Sequence, residues 1–238
     1  MNDLARAAGR LANALRPLEF GPPVACVYRT LDYTWEAHRT YIERFGQGSK
    51  RVVFLGMNPG PYGMAQTGVP FGEVTAVRDW LKIETEIGRP ATEHPKRQIT
   101  GFNCTRTEIS GKRLWGLFAA RFGTPDAFFK DHFVLNFCPL IWMSETGANL
   151  TPDKISRAEM IPVESACLDH LATTLDILQP TWVVGIGGYA AERLKIAVKN
   201  SSRPIRVGRI LHPSPASPAA NRGWAEIATR ELTELEIW

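Results

Sequence analysis

Four runs of the chain, Arg51 to Leu55, Phe133 to Phe137, Trp182 to Ile186 and Ile205 to Leu211, are apolar and dominated by β-branched or aromatic residues. Such strands have no solvated face, the pattern of a parallel sheet covered by helices on both sides. Stretches with helical spacing separate the four runs: Thr75 to Ile83, a segment through Phe122 that Ser110 can cap, Pro162 to Leu178, and Tyr189 to Val198. A fifth helix is expected from Gly223 to Leu235. Strands alternating with helices predict an α/β fold: a single domain over residues 1–238, with a central, mainly parallel four-stranded sheet flanked by helices on both faces and joined by right-handed crossovers.

The chain's 238 residues, 44% of them hydrophobic and seven of them tryptophan, can bury a full core without disulfides or structural metal. Its four cysteines, Cys26, Cys104, Cys138 and Cys167, are widely spaced and form no C-x-x-C pair, which argues against a zinc knuckle or an iron–sulfur cluster. No segment approaches the roughly 18 unbroken apolar residues of a membrane span. The N-terminal stretch contains Asp3 and lacks the long apolar core of a secretory signal. Leu4, Leu11, Leu15 and Leu18 share one helical face, so residues 1–30 are expected to form a segment docked on the domain. An organelle-targeting segment or a partner-binding helix is the alternative. The net charge of +4 is compatible with an anionic polymer as partner and does not require one. A monomer with no membrane partner, working inside the cell, is the expectation.

In an open parallel sheet, ligands bind beyond the carboxyl ends of the strands. The first strand runs into Gly56-Met57-Asn58-Pro59-Gly60-Pro61, a loop whose prolines prevent it from becoming helix and hold Asn58 on a stiff backbone. The second strand ends at Asn136 and the fourth at His212-Pro213-Ser214-Pro215, so three polar groups should converge over one edge. Each alone has an ordinary structural reading, as a loop amide or a hydrogen-bonded histidine. The third strand end, Gly185-Ile186-Gly187-Gly188-Tyr189-Ala190, matches a dinucleotide fingerprint in form but opens the third unit rather than the first. The preferred reading is a helix N-terminus brought close to the sheet, with free N–H groups that could hold a phosphate. The aperiodic stretch from Gly88 to Ile109 should be a functional or mobile loop, with Lys96 and Arg97 as solvated charges or phosphate contacts.

These motifs carry a resemblance. The run from Gly56 through Phe71-Gly72-Glu73-Val74, with Asn136-Phe137-Cys138-Pro139-Leu140 and His212-Pro213-Ser214-Pro215, resembles the single-strand-selective monofunctional uracil-DNA glycosylases. Similarity extends from about Tyr33 to Trp224 and includes Glu93-His94-Pro95-Lys96-Arg97 and Ser110-Gly111. The resemblance implies hydrolysis of the N-glycosidic bond of deoxyuridine in single- or double-stranded DNA, with no metal or cofactor. It implies Asn58 and His212 as the catalytic pair, placing the water and donating to uracil O2. Asn136 would read the base and Phe71 would stack on it, with Met57 and Gly60 also contacting substrate. Gly60 stands where classical uracil glycosylases carry a tyrosine, which implies room for C5-substituted uracils such as 5-hydroxymethyluracil. Lys96, Arg97, Gly187, Ser214, Pro215, Ala216 and Arg222 would meet DNA. Vertebrate members place an arginine where this chain has Ala216, so its contribution to opening the duplex is in question. No lysine belongs to the three strand-end motifs, so strand-cutting lyase chemistry is not expected. A related glycosylase for another deaminated base, or a damage-binding module with poor turnover, is the alternative.

Overall fold

The computed structural model describes residues 1–199, 201 and 203–238. In chain order its main elements are α1 (Asp3–Leu15), β1 (Cys26–Arg29), α2 (Trp35–Phe45), β2 (Val52–Gly56), α3 (Ile109–Phe122), β3 (His132–Asn136), β4 (Leu140–Met143), β5 (Asn149–Leu150), α4 (Arg157–Leu178), β6 (Trp182–Ile186), α5 (Gly188–Val198), β7 (Arg206–Ile210) and α6 (Trp224–Glu234).

The expected sheet is present, with strands in the order β3-β2-β6-β7 and every neighbour pair parallel. All five residues of β2 are buried, as an interior strand under helices requires. The reading of Ile205 to Leu211 as fully buried needs correction. β7 is an edge strand with Arg206 and Arg209 exposed and Val207 half-buried, and only Gly208 and Ile210 are buried.

Helix boundaries differ where a local backbone effect outweighs periodicity. The stretch expected as a helix from Thr75 to Ile83 widens into a single π-type turn over Ala76–Trp80, and Lys82, at φ 56°, breaks it. Ser110 lies inside the first turn of α3, and Glu108 holds the cap position without capping through its side chain. α4 begins five residues before Pro162, where Ser156 caps the helix by accepting from Glu159 N. Pro162 is tolerated because the carbonyl it leaves unpaired belongs to exposed Ala158, within reach of water. α1 ends before Leu18, but Leu4, Leu11 and Leu15 are buried as its periodicity required, and the helix packs on α4.

A second, antiparallel sheet in the order β1-β4-β5 had no counterpart in the sequence reading. Its strands are two to four residues long, too short for a period to register. This sheet anchors the segment from Gly88 to Ile109. Tyr28 Oη accepts from His94 N at 2.9 Å and donates to Arg97 O at 2.8 Å. Gln66 Oε1 accepts from Thr100 N and Gly101 N at 2.9 and 3.0 Å. The aperiodic stretch is therefore a hydrogen-bonded strap over the residues that follow β2.

Two buried histidines tie stability to pH. His38 Nδ1 donates to Gly68 O at 2.7 Å and His132 Nδ1 to Phe128 O at 3.0 Å, and burial lowers each pKa to about 4. Between the ordinary value near 6.5 and about 4, the unfolded chain takes up protons that the folded chain refuses, so stability falls as pH falls. Urea unfolding should show a loss of up to about 3 kcal/mol per histidine across that window, smaller in His132→Gln. A profile unaffected by that substitution would contradict the assignment.

Candidate active site

Parallel register places Gly56, the last residue of β2, opposite Asn136, the last of β3. The pairing continues into the loops: Phe137 N donates to Gly56 O at 2.9 Å and Cys138 N to Met57 O at 3.0 Å. Asn58 Nδ2 donates to Leu140 O at 3.3 Å, which fixes the sense of its amide and leaves Oδ1 without a protein partner among the described residues. Asn149 Nδ2 holds the same loop by donating to Pro59 O at 3.2 Å.

Beyond these strand ends lies a cavity of about 210 Å³. Its walls include Met57, Asn58, Gly60, Phe71, Asn136 and His212, with Ser214 and Pro215 at the side of His212. The three strand-end groups thus meet in one place. A larger cavity of about 570 Å³, between the end of α1 and residues 89–92, contains none of them.

Gly56 makes this convergence possible. A Cβ there would collide with Asn136 Oδ1 and the Phe71 ring, so both side chains lie directly over the bare backbone. Phe71 itself sits at φ 54°, strained for a bulky side chain. Trp115 Nε1 donates to Pro70 O at 3.2 Å and Thr67 Oγ1 to Gly72 O at 2.9 Å, while Glu73 N donates to Phe71 O at 2.7 Å. Asn136 Nδ2 donates to Met64 Sδ at 3.4 Å. A thioether accepts but cannot donate, so this contact sets which end of the amide faces Met64.

The His212 ring is tilted against Phe71, with centroids 6.1 Å apart. Burial lowers its pKa from the ordinary 6.5, so the imidazole is neutral at pH 7. Gly187, at φ 91°, packs against it. The backbone on either side of His212 is clamped. Leu211 N donates to Glu231 Oε2 and Leu211 O accepts from Trp224 Nε1, both at 2.7 Å. Arg113 donates to Pro213 O at 3.0 Å and Asn221 Oδ1 at 2.8 Å, and Asn221 Nδ2 donates to Pro215 O at 2.8 Å.

Five of the proposed DNA-contact residues, Lys96, Arg97, Gly187, Ala216 and Arg222, lie outside the cavity wall. Lys96, Ala216 and Arg222 are exposed. Arg97 Nη1 donates to Tyr62 Oη at 2.9 Å, and Arg106 also stacks on that ring, 4.6 Å from its centroid. The glycines of the third strand end have structural roles: a Cβ at Gly185 would collide with Ala191 N, so the absent side chain lets α5 lie close on β6.

Sequence reasoning missed Arg113 and Asn221, which brace the His212 loop from about 100 and 9 residues away in the chain. It also missed Glu108, whose carboxyl fills the side-chain space vacant at Gly60. Burial raises the Glu108 pKa, opposed by a hydrogen bond from the Tyr62 backbone. The Ser110-Gly111 motif was the available signal. A Cβ at Gly111 would collide with Phe71 O, so that glycine admits the pocket wall. The space on the Cβ side of Gly60 thus holds a carboxyl group.

Gly56→Ala tests this packing. Overpacking at such a contact costs about 1–3 kcal/mol, so the variant should unfold at lower denaturant and its crystal structure should show the Asn136 amide and Phe71 ring displaced. An unchanged pocket at unchanged stability would contradict the role given to Gly56.

Comparison with known proteins identifies the family. The model of the uracil DNA glycosylase superfamily matches residues 43–233. The single-strand selective monofunctional uracil DNA glycosylase of Bos taurus is 44% identical over 228 residues, covering 96% of this chain and 84% of its own. The Rattus norvegicus protein of that description is 46% identical, covering 96% and 82%. The crystal structure of Pedobacter heparinus SMUG2 shares the fold at a TM-score of 0.67 and 16% identity, over 97% of both chains. With those identities extending over nearly its full length, the chain belongs to the single-strand selective monofunctional uracil-DNA glycosylases of the uracil DNA glycosylase superfamily.

Proposed function

We infer that this chain is a DNA repair glycosylase that releases uracil from DNA and leaves an abasic site, without cutting the strand. The observation that supports this best is the meeting of Asn58, Asn136 and His212 around one 210 Å³ cavity at the sheet's carboxyl edge. The reaction breaks the C1′–N1 bond, adds water at C1′, and lets uracil depart with the bonding electrons.

Each residue's chemistry fits one part of that task. With its Nδ2 held by Leu140 O, Asn58 offers Oδ1 to a water. An amide cannot deprotonate that water at pH 7, but an electron-poor sugar does not need a strong nucleophile. The neutral His212 imidazole donates N–H to uracil O2 as negative charge gathers there, and one such preorganised donor contributes about 2.7–4 kcal/mol. Asn136 accepts from N3–H through Oδ1 and donates to O4 through Nδ2. Met64 favours that sense of the amide, and cytosine, which presents the opposite pattern, leaves buried groups unpaired. Phe71 stacks on the extruded base and Met57 completes the wall. The edge of the ring at Gly60 is C5, and modified uracils such as 5-hydroxymethyluracil are proposed substrates.

The strand itself is held by Lys96, Arg97 and Arg222, by the loop Ser214-Pro215-Ala216, and by the free amides at the start of α5 after Gly187. A monomer acting on DNA inside the cell suffices for this reading. Among the described residues no helix is long and apolar enough to cross a membrane.

Uracil release from a single-stranded oligonucleotide tests the function. His212→Leu should lower the rate about 10²–10³-fold, and Asn58→Ala should lower it while leaving uracil-DNA binding measurable. Tight binding by the parent without release would point to a damage-binding module, and a borohydride-trapped adduct would contradict the monofunctional mechanism. Ala216→Arg should raise release from duplex relative to single strands, because an arginine can fill the stack the base leaves. Equal ratios in parent and variant would remove this loop position from duplex opening.

A further inference from the structure

The cavity of about 570 Å³ between the end of α1 and residues 89–92 has no part in the reaction, yet Arg16, Arg29 and Arg89 stand in its wall. Two of these cations are neutralised. Arg16 is paired with Asp32 at 2.8 Å and Arg89 with Glu93 at 3.0 Å. Arg29, half-buried at the end of β1, has no carboxylate partner among the described residues. Its Nη2 donates to Leu18 O at 2.5 Å, its Nε is buried without a partner, and its Nη1 remains free to donate. Glu19, the other carboxylate of the wall besides Asp32, is exposed, so three arginines stand against two acids. A guanidinium partly withdrawn from water loses hydration that an anion at its fork restores.

The site is built by the local backbone. Strand alternation sends Cys26 and Tyr28 to the buried side of β1 and Val27 and Arg29 into the cavity wall. Gly88 N donates to Tyr33 O at 2.8 Å and Cys26 Sγ to Thr92 O at 3.6 Å, which fixes both ends of segment 88–92. The volume lies within the range of about 300–1,000 Å³ typical of small-molecule sites. Pro17, Val27 and Pro90 add apolar surface beside the arginines. A nucleotide matches that combination, with a phosphate for the cation and a ring and sugar for the apolar wall.

We propose that this cavity is a phosphate-binding subsite, anchored by Arg29, that holds a nucleotide other than the one being cleaved. Nη2 carries a second hydrogen, so together with Nη1 the fork still presents two N–H groups, the pattern that suits phosphate oxygens. The segment lining the cavity runs on to Lys96 and Arg97, the residues given above to the DNA strand. From Thr92 to Lys96 the chain spans at most about 14 Å, so a strand held at Lys96 reaches the cavity within a few nucleotides. The strand as source of the phosphate rests on the reading of this chain as a DNA glycosylase. A free nucleotide offers the same chemistry without that reading.

Binding of single strands of about four and about sixteen nucleotides, with uracil at the centre, tests the subsite through the ratio of the two affinities. In Arg29→Gln the advantage of the long strand should fall about tenfold, and the salt slope on that strand should flatten by about 0.7. Arg29→Lys, which keeps the charge and loses the fork, should fall between parent and glutamine variant. Ala91→Glu brings a carboxylate to the exposed rim of the same wall and should lower the ratio as well, which decides the matter should Arg29→Gln not fold. An unchanged ratio, with thymidine monophosphate raising the thermal midpoint of the parent and not of Arg29→Gln, would assign the phosphate to a free nucleotide. Ratios within about twofold of the parent in folded variants, with no nucleotide effect that depends on Arg29, would overturn the proposal. Uracil release by the parent reports separately on the glycosylase reading: its absence would overturn that reading, while the affinity ratio and the nucleotide response would still decide the subsite.

Discussion

The parallel pairing of β2 with β3 sets Gly56 beside Asn136, and the rest of the site is arranged around that pair of backbone positions. Register in a sheet is discrete: a slip of one residue would turn Asn136 to the opposite face and bring a side chain over the cavity floor. The apolar faces of β2, buried under helices on both sides, hold the register. The pairing then continues beyond the strands, through Phe137 to Gly56 and Cys138 to Met57, so the two loops inherit the geometry of the sheet. Asn58 and Asn136 are positioned by the buried, paired strands at the centre of the sheet, although both stand at its edge.

Around this frame the chain uses missing side chains as much as present ones. Gly56 lets the Phe71 ring and the Asn136 amide lie on backbone, Gly111 admits the Phe71 carbonyl, Gly187 accommodates His212, and Gly60 accommodates Glu108. Polar groups brought this close together lose water, which makes their remaining interactions stronger. The same burial keeps His212 neutral, a donor without a full charge of its own, and leaves the Glu108 carboxyl in want of partners. The proposed leaving-group role of His212 thus rests on one desolvated cavity.

Much of this was legible in the chain. The parallel sheet showed itself in four apolar runs, and Asn58, Asn136 and His212 stood at strand ends, where the fold places ligands. Local chemistry wrote those signals into consecutive residues. The antiparallel sheet was not legible because its strands, two to four residues long, are too short for an alternating pattern to stand out. Glu108 and Arg113 were missed because their partners lie far away in the chain: Glu108 meets Gly60 across 48 positions, and Arg113 meets Pro213 across 100 and Asn221 across 108. Gly60 shows the limit most clearly. A glycine reads as vacant space in sequence, and only the fold reveals what fills it.

The mechanism depends above all on the orientation of the base among the three strand ends. A crystal structure of a slowed variant such as Asn58→Ala, bound to an oligonucleotide containing uracil, tests it most directly. Uracil should be stacked on Phe71, with O2 within hydrogen-bond distance of His212, N3 and O4 against the Asn136 amide, and C5 facing Gly60 and Glu108. A base seated elsewhere, or turned so that its O2 edge meets Asn136, would contradict that orientation.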